Sequence, residues 1–516
     1  MVVGDFLKRT AARYPQKIGV VFEDLRFTWK DTNLRVNSMA NALVGMGLKK
    51  QDRVAILSRN CNQYLEFYFA VAKAGMIGVP LNSRFLGQEL VYLINDSGAN
   101  ALFVDEEYLG TAKEMSSDLK NVNYYIGIGE SHPYDYDFED LIRNWSSDEP
   151  DVAVDEEDIY VLAYTSGTTG RPKGAIITHK NSVAAGIGFV VETRITPQDV
   201  FLTLGPFYFG AAAGQRSPAI VRGCTLVITT FDPLTFFELV QKEKVTMFYT
   251  NPTAINLLIN HPERKNFDLT SIRYIAVTAA PLPVEVLKKS EDVFGDVFFP
   301  QYGMAETGPQ GTILNKEEFA PEGPMSKRMG SIGLPMVSIN VKVVNDEGTE
   351  IARDGKEVGE IILQGDSVTK GYWNAPEKTA EAIKGGWFYT GDMATVDEDG
   401  YIYIVDRKKD MIISGGINIY PREIEEILYT HPAVMNATVI GVPDEKWGET
   451  PKAIVVLKKG AQTTEAEVIE LCRANLASYK KPTSIDFVDS LPMTPTGKIL
   501  KREVRKKYWE DQERKI

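Results

Sequence analysis

Between Tyr164 and Gly174 the chain reads YTSGTTGRPKG, a run in which glycines alternate with hydroxyl side chains and a lysine. Gly167, Gly170 and Gly174 let the backbone turn its N–H groups inward, Thr165, Ser166, Thr168 and Thr169 add hydroxyl donors, and Lys173 adds a positive charge. Such a set suits a polyphosphate. A flexible linker would not be flanked by apolar runs, whereas IYVLAYT precedes this segment and AIITH follows it, together reading as a hairpin. The common P-loop needs Gly directly before its lysine and Ser or Thr directly after. Here Pro172 and Gly174 stand in those places, so phosphate binding of another kind is expected.

Three further runs could carry chemistry. In QYGMAET, Gln301 to Thr307, Tyr302 beside Gly303 can stack on a flat ring, and Glu306 can offer oxygen to Mg²⁺ on phosphates. GWFYTGD ends on Asp392, a carboxylate that can accept both hydroxyls of a ribose. PMTPTGKILKREVRKKYW sets Lys498 in a tight turn, where a lysine can meet charge developing on a carboxylate or phosphate oxygen. Taken singly, each has an ordinary alternative: a half-buried turn, a Gly-Asp turn, a solvated basic tail. There is no Ser/His/Asp arrangement, and the four histidines form no cluster of zinc spacing.

The elements that must position these residues alternate. WKDTNLRVNSMANALVGMGL then DRVAILS, and ELVYLINDSGA then ALFVD, read as helix followed by strand, which is the signature of an α/β layered domain. The alternation resumes after Pro206 through CTLVIT, TFFELVQKEKV, TMFYT, IRYIAVTAA and VEVLKKSEDVF. From about Gly330 to Asp406, short strands with acidic or glycine turns suggest a small barrel or sheet. A boundary falls at DRKKD, Asp406 to Asp410. Beyond it an α+β pattern begins, with a helix that starts at Pro421 and turns Ile424, Ile427 and Leu428 to one side.

The 516 residues exceed one ordinary core and imply two or more domains. With 44% apolar and 25% charged residues the chain reads as soluble and globular, and its net charge of −13 argues against a general nucleic-acid binder. Cys61, Cys224 and Cys472 lie far apart and read as buried apolar groups. At the N-terminus, Phe6, Leu7, Ala11 and Ala12 suggest an amphipathic helix rather than a signal peptide. FYFAVAKAGMIGVPL, interrupted by Lys73 and ended by Pro80, falls short of the roughly 20 residues a membrane span requires. A cytoplasmic location is expected.

Taken in order, YTSGTTGRPKG, QYGMAET, YTGD, DRKKDMIISGG and PTGK resemble the adenylate-forming superfamily: acyl-CoA synthetases, luciferase-like enzymes and peptide-synthetase adenylation domains. The likeness runs nearly end to end. It implies an α/β multidomain fold, with a large N-terminal domain (1–405) of two α/β subdomains plus a small β-barrel. A hinge (406–409) and a mobile α+β C-terminal domain (410–516) that rotates between two half-reactions would follow. ATP, Mg²⁺ and coenzyme A are the implied cofactors and a carboxylic acid the substrate, with a homodimer admitted as the assembly.

By the same resemblance Thr165, Ser166, Gly167, Thr168, Thr169, Gly170 and Lys173 hold the β- and γ-phosphates. Ala279, Ala280 and Pro281 line the adenine, with Tyr302 on the opposite face, and Gln301 and Gly303 are counted among the cofactor-binding residues. Glu306 takes Mg²⁺, Asp392 and Arg407 take the ribose, and Lys409 is the hinge residue. Gly415 and Gly416 let the pantetheine thiol approach, and Lys498 polarises the carboxylate and the α-phosphate. Two positions depart from the family pattern. Ala305 lacks the hydroxyl usual before the glutamate, leaving Thr307 as a nearby substitute, and Phe209 in GPFYFGAAAG replaces a frequent histidine.

The acid's wall is expected from Tyr208, Phe209, Gly210, Ala211, Ala212, Ala213, Gly214, Asn251, Pro252, Thr278 and Gly303. None carries a charge, so an unbranched aliphatic or simple aromatic acid suits it better than acetate or a dicarboxylate. Medium- or long-chain fatty acids are the first expectation, and benzoate or cinnamate types the alternative. Loading of a carrier-protein thiol is a further alternative. An amino acid is disfavoured because FYFGAAAG offers no carboxylate to an ammonium group. A regulator without turnover is disfavoured because Lys498, Glu306 and Asp392 are all retained.

Overall fold

Val54 and Ile56 belong to one apolar cluster while Ala55 and Leu57, between and beyond them, belong to another. A strand buried on both faces alternates in this way, and it fixes where each sheet must lie. The computed structural model describes residues 1–165, 172–209, 217–280, 282–320, 322–493 and 499–509. Two large sheets organise the N-terminal part. In the seven-stranded sheet the order is Tyr136–Asp137, Tyr124–Ile128, Ala101–Asp105, Arg53–Leu57, Ile77–Pro80, Ile159–Thr165 and Lys173–Thr178. All its pairings are parallel except that of the last two strands, a hairpin.

The nine-stranded sheet has at its centre six parallel strands: Phe298–Tyr302, Tyr274–Val277, Met247–Thr250, Val200–Thr203, Thr225–Ile228 and Ile18–Phe22. Phe201, Leu226 and Ile228 face the same cluster as Val54 and Ile56. That cluster also takes Leu7 from the helix Gly4–Arg13, Met39 from Trp29–Gly45, Tyr68 from Asn62–Lys73 and Phe189 from His179–Thr193. These helices therefore fill the space between the two sheets. Leu202 and Val227 face outward, onto the helices Pro233–Glu243, Pro252–Ile259 and Val284–Phe294. The result is helices on both faces of each sheet, the α/β layering read from the alternation.

Local signals explain the helix starts. Thr28 and Asp31 form a capping box on Trp29–Gly45, Thr178 and Asn181 do so on His179–Thr193, and Pro421 opens Pro421–Thr430. The N-terminal helix buries Phe6, Leu7 and Ala11 as expected, but Ala12 lies on its exposed side. Lys73 sits inside the apolar run and is buried, its ammonium held by Asn33, Asn37 and Glu149 at 2.6–3.0 Å. All three cysteines are buried free thiols, and burial pushes Cys61 and Cys224 up to about 12. Among the described residues no helix is long and apolar enough to cross a membrane.

After the nine-stranded sheet comes an antiparallel five-stranded sheet of Asn340–Val344, Gly359–Gln364, Ile383–Lys384, Trp387–Val396 and Ile402–Arg407. The expected closure into a barrel is not found among its pairings. The long strand Trp387–Val396 instead takes Gly359–Gln364, Ile383–Lys384 and Ile402–Arg407 as partners along its length. The C-terminal part has its own sheet, built on the hairpin Val434–Asp444 and Gly448–Leu457, and its own core of Ile412, Ile419, Ile424, Leu428, Val439, Val455 and Val468.

One buried clamp joins three helices of the N-terminal part. Arg35 makes two hydrogen bonds to Glu66, at 2.7 and 2.9 Å, and two to Glu139, at 2.8 and 2.7 Å. Glu66 is 1% exposed, so removing the guanidinium leaves a buried carboxylate unpaired. Arg35→Ala is expected to cost roughly 3 kcal/mol, read from the urea midpoint at unchanged slope. A shift worth less than about 1 kcal/mol would show the clamp to be dispensable.

Candidate active site

Four neighbouring parallel strands deliver several of the residues singled out from sequence. At their carboxyl ends Val200–Thr203 leads to Tyr208 and Phe209, Met247–Thr250 to Asn251 and Pro252, Tyr274–Val277 to Thr278, Ala279 and Ala280, and Phe298–Tyr302 to Gly303. The crevice beyond strand carboxyl ends is where open parallel sheets bind ligands. Gly303 is forced at its position, because a Cβ there would stand 2.1 Å from the carbonyl oxygen of Pro309. Ala279 adopts φ +71°, a left-handed conformation strained for any residue with a side chain.

The hairpin of the other sheet meets this edge. Thr165 and Lys173 are the last cross-strand partners of the hairpin before the segment that joins its two strands. Thr165 Oγ1 donates to Glu306 Oε1 at 3.3 Å, joining the glycine-rich segment to QYGMAET. Lys173 lies 5.3 Å from the ring centroid of Tyr372, and burial together with Lys378 pulls its ammonium below the ordinary range. Tyr372 in turn donates to Glu306 Oε1 at 3.2 Å. Glu306 is 8% exposed.

A second chain of contacts runs through the aromatic ring. Tyr302 is buried and its hydroxyl donates to Asp392 Oδ2 at 2.8 Å; Arg407 Nε reaches Asp392 Oδ1 at 3.0 Å. Asp392 and Arg407 are register partners on adjacent strands, which explains how residues from two motifs come together. The Asp392 carboxylate holds the Arg407 guanidinium further into its charged form, and burial and Asp392 push the Tyr302 hydroxyl well above its usual range.

Other expected residues are placed as follows. Gln301 is buried and donates to the Tyr274 hydroxyl at 2.6 Å. The Asn251 side chain caps the helix Pro252–Ile259, accepting from Ala254 N at 2.9 Å. Tyr208 and Phe209 set their rings 4.8 Å apart. Thr307 is fully buried and its hydroxyl donates to Gln310 O at 2.6 Å, so it does not replace the hydroxyl missing at Ala305. Gly415 and Gly416, at φ +57° and +81°, form the two-residue turn between Ile412–Ser414 and Ile417–Ile419. That turn abuts Trp447 and touches neither Glu306 nor Asp392: Gly415 N donates to Trp447 O at 2.7 Å.

The strand Ile402–Arg407 belongs to one sheet and Ile412–Ser414 to another, so the chain changes sheet across Lys408 to Met411. Arg407 pairs with Asp392, whereas Asp410 pairs with Arg505 of the helix Lys501–Lys506 at 2.8 Å; Lys409 between them is exposed. Ser166, Gly167, Thr168, Thr169, Gly170, Pro281, Lys498, Gly210, Ala211, Ala212, Ala213 and Gly214 lie outside the described residues.

Two participants were missed from sequence. Tyr372, in KGYW, contacts both Glu306 and Lys173, and an aromatic adjacent to a glycine, as at the expected Tyr302–Gly303 pair, was the available signal. Asn60 holds the segment that leads to Tyr208 and Phe209: its side chain donates to Gly205 O at 3.0 Å and Thr229 O at 2.9 Å and accepts from Phe207 N at 2.8 Å. Nothing local in sequence announces it.

Comparison with known proteins agrees with this geometry. Residues 7–373 match the family described as AMP-binding enzyme, and residues 423–498 match the AMP-binding enzyme C-terminal domain. Over 508 residues the chain is 37% identical to feruloyl-CoA synthase of Amycolatopsis sp, covering 98% of this chain and 99% of that protein. It is 36% identical to a long-chain-fatty-acid–CoA ligase of Bacillus subtilis (strain 168), covering 96% and 93%. Among solved structures, the anthranilate CoA ligase AuaEII in complex with anthranoyl-AMP superposes with a TM-score of 0.91 at 28% identity, covering 98% of this chain and 97% of that one. A Mycobacterium tuberculosis fatty acyl CoA synthetase superposes at 0.78 with 32% identity, covering 98% of each. The chain thus belongs to the AMP-binding enzymes, within the acyl-CoA ligases, and is an AMP-forming ligase that uses ATP, Mg²⁺ and coenzyme A.

Proposed function

We propose that this enzyme activates an apolar monocarboxylic acid, a medium- or long-chain fatty acid first, as its coenzyme A thioester. The observation that carries the reading is the strand-end crevice, with uncharged wall residues on two strands and the Tyr302, Asp392 and Glu306 contacts on the others. A second reading, an aromatic acid of cinnamate or benzoate type, is favoured by the likeness to feruloyl-CoA synthase.

Glu306 fits a magnesium ion: it is a single buried carboxylate beside a phosphate-type loop, and Mg²⁺ takes one or two carboxylates and completes its shell with phosphate oxygens and water. When bound, the ion neutralises phosphate charge. Thr165, Lys173 and the glycine-rich loop hold the triphosphate, Asp392 and Arg407 the ribose, and Tyr302 with Ala279 to Pro281 the adenine. The acid's carboxylate oxygen attacks the α-phosphorus in line, the bond to the β-phosphate oxygen breaks, and pyrophosphate leaves. Lys498 stabilises the charge on carboxylate and α-phosphate. The domain 410–516 then turns about residues 406–409 and brings Gly415 and Gly416 to the thiol channel. The sulfur of coenzyme A, having lost its proton, attacks the acyl carbon and AMP departs.

Three measurements test this reading. Lys498→Ala should lower adenylation by about 10²-fold or more, the size of a lost transition-state donor, while sparing thioester formation from preformed acyl-adenylate. Equal loss in both steps would sink the division of labour. With AMP release followed across C2 to C18 acids, benzoate and hydroxycinnamates, kcat/KM should climb with chain length, because each buried methylene contributes about 0.8 kcal/mol. A hydroxycinnamate optimum selects the second reading, and an acetate or malonate optimum refutes both. Lys409→Pro fixes φ near about −65° at the hinge, so it should permit adenylation and largely block thioester formation. If both rates stay within about twofold, some 0.4 kcal/mol in barrier, the rotation does not pivot there.

A further inference from the structure

Tyr372 holds two charged groups of the site at once. Its hydroxyl donates to Glu306 Oε1 at 3.2 Å, and its ring carries Lys173 at 5.3 Å. Thr165 donates to the same Oε1 at 3.3 Å, whereas no described residue donates to Oε2. A carboxylate pinned through one oxygen keeps its orientation and keeps the other oxygen available to a cation.

The backbone that aims Tyr372 is fixed from several sides. Thr369 N donates to Glu306 O at 2.6 Å, Tyr372 N to Thr379 Oγ1 at 2.9 Å, and Trp373 N to Gly174 O at 2.8 Å. Ala175 and Tyr372 form a bridge that adds this segment to the edge of the hairpin strand Lys173–Thr178. Gly371 has φ +129°, and a Cβ there would meet Thr379 Cγ2 at 2.4 Å, so the turn into Tyr372 requires glycine. One short segment thus links the backbone of Glu306, the side chain of Glu306 and the strand that begins at Lys173.

We propose that Tyr372 is a positioning residue for nucleotide binding: its hydroxyl orients the Glu306 carboxylate toward the metal of Mg·ATP, and its ring holds the Lys173 ammonium beside the phosphate loop. The proposal rests on the reading of Glu306 as the metal-associated carboxylate. Removing the hydroxyl alone loosens the carboxylate and leaves the ring under Lys173; removing the ring loosens both.

The test is calorimetric titration of the full-length protein with ATP, once in excess Mg²⁺ and once in EDTA, for the parent, Tyr372→Phe, Tyr372→Leu and Glu306→Gln. Tyr372→Phe should cut the gain in ATP affinity conferred by Mg²⁺ by about tenfold, the effect of one hydrogen bond to a charged group. Its affinity in EDTA should stay within about twofold and its melting temperature within about 2 °C of the parent. Tyr372→Leu should weaken binding in EDTA as well, by about threefold, because the cation–π contact is lost. If Glu306→Gln abolishes the Mg²⁺ gain but Tyr372→Phe leaves it intact, the proposal falls and the role of Glu306 stands. If Glu306→Gln keeps the gain, that role falls and takes the proposal with it. Equal weakening of Tyr372→Phe with and without Mg²⁺ means a merely structural role and also overturns the proposal.

Discussion

In a parallel sheet every strand ends on the same edge, and the loops that follow must gather there whatever their order in the chain. This protein takes its site from that constraint. The strands Val200–Thr203, Met247–Thr250, Tyr274–Val277 and Phe298–Tyr302 are neighbours, so segments about a hundred residues apart become the walls of one crevice. Burial on both faces holds the strands in register: Phe201 packs toward the inner helices and Leu202 toward the outer ones, and a slip of one residue would exchange them.

Upon this edge the second sheet and the five-stranded sheet each bring one contact. Thr165 comes from the hairpin to Glu306, and Asp392 with Arg407 comes from the five-stranded sheet to Tyr302. Behind these polar contacts the three sheets share one apolar cluster, which takes Val54 from the first, Phe201 from the second and Leu363 from the third. Beyond Arg407 the grip changes hands. Lys408 pairs with Asp346 at 2.9 Å and donates from its N to Gly391 O at 2.8 Å, whereas Asp410 pairs with Arg505 at 2.8 Å, so the two neighbours of Lys409 are held by different parts of the protein.

Local features of the sequence were the legible ones. The glycine-rich hairpin, the capped helices and the helix from Pro421 follow from periodicity and turn chemistry that span a few residues. The partnership of Thr165 with Glu306 spans 141 residues and that of Tyr372 with Glu306 spans 66, distances over which no pattern in a single chain reports contact. Thr307 stood in the sequence as a nearby hydroxyl, but it is buried and donates to Gln310 O. The expected barrel is left unconfirmed for a similar reason. Short strands with tight turns are compatible with an open or a closed sheet, and the choice lies in the partners of the long strand Trp387–Val396.

The order of strands along the crevice has an evolutionary consequence. Phe298–Tyr302 and Tyr274–Val277 carry the positions where change is least tolerated, Gly303 wedged against Pro309 and Ala279 in its left-handed turn. Met247–Thr250 and Val200–Thr203 lead to Asn251, Tyr208 and Phe209, on the loops of the neighbouring strands. On the function proposed above, a lineage built on this plan exchanges its acid by altering two loops while the machinery that spends the nucleotide passes down unaltered.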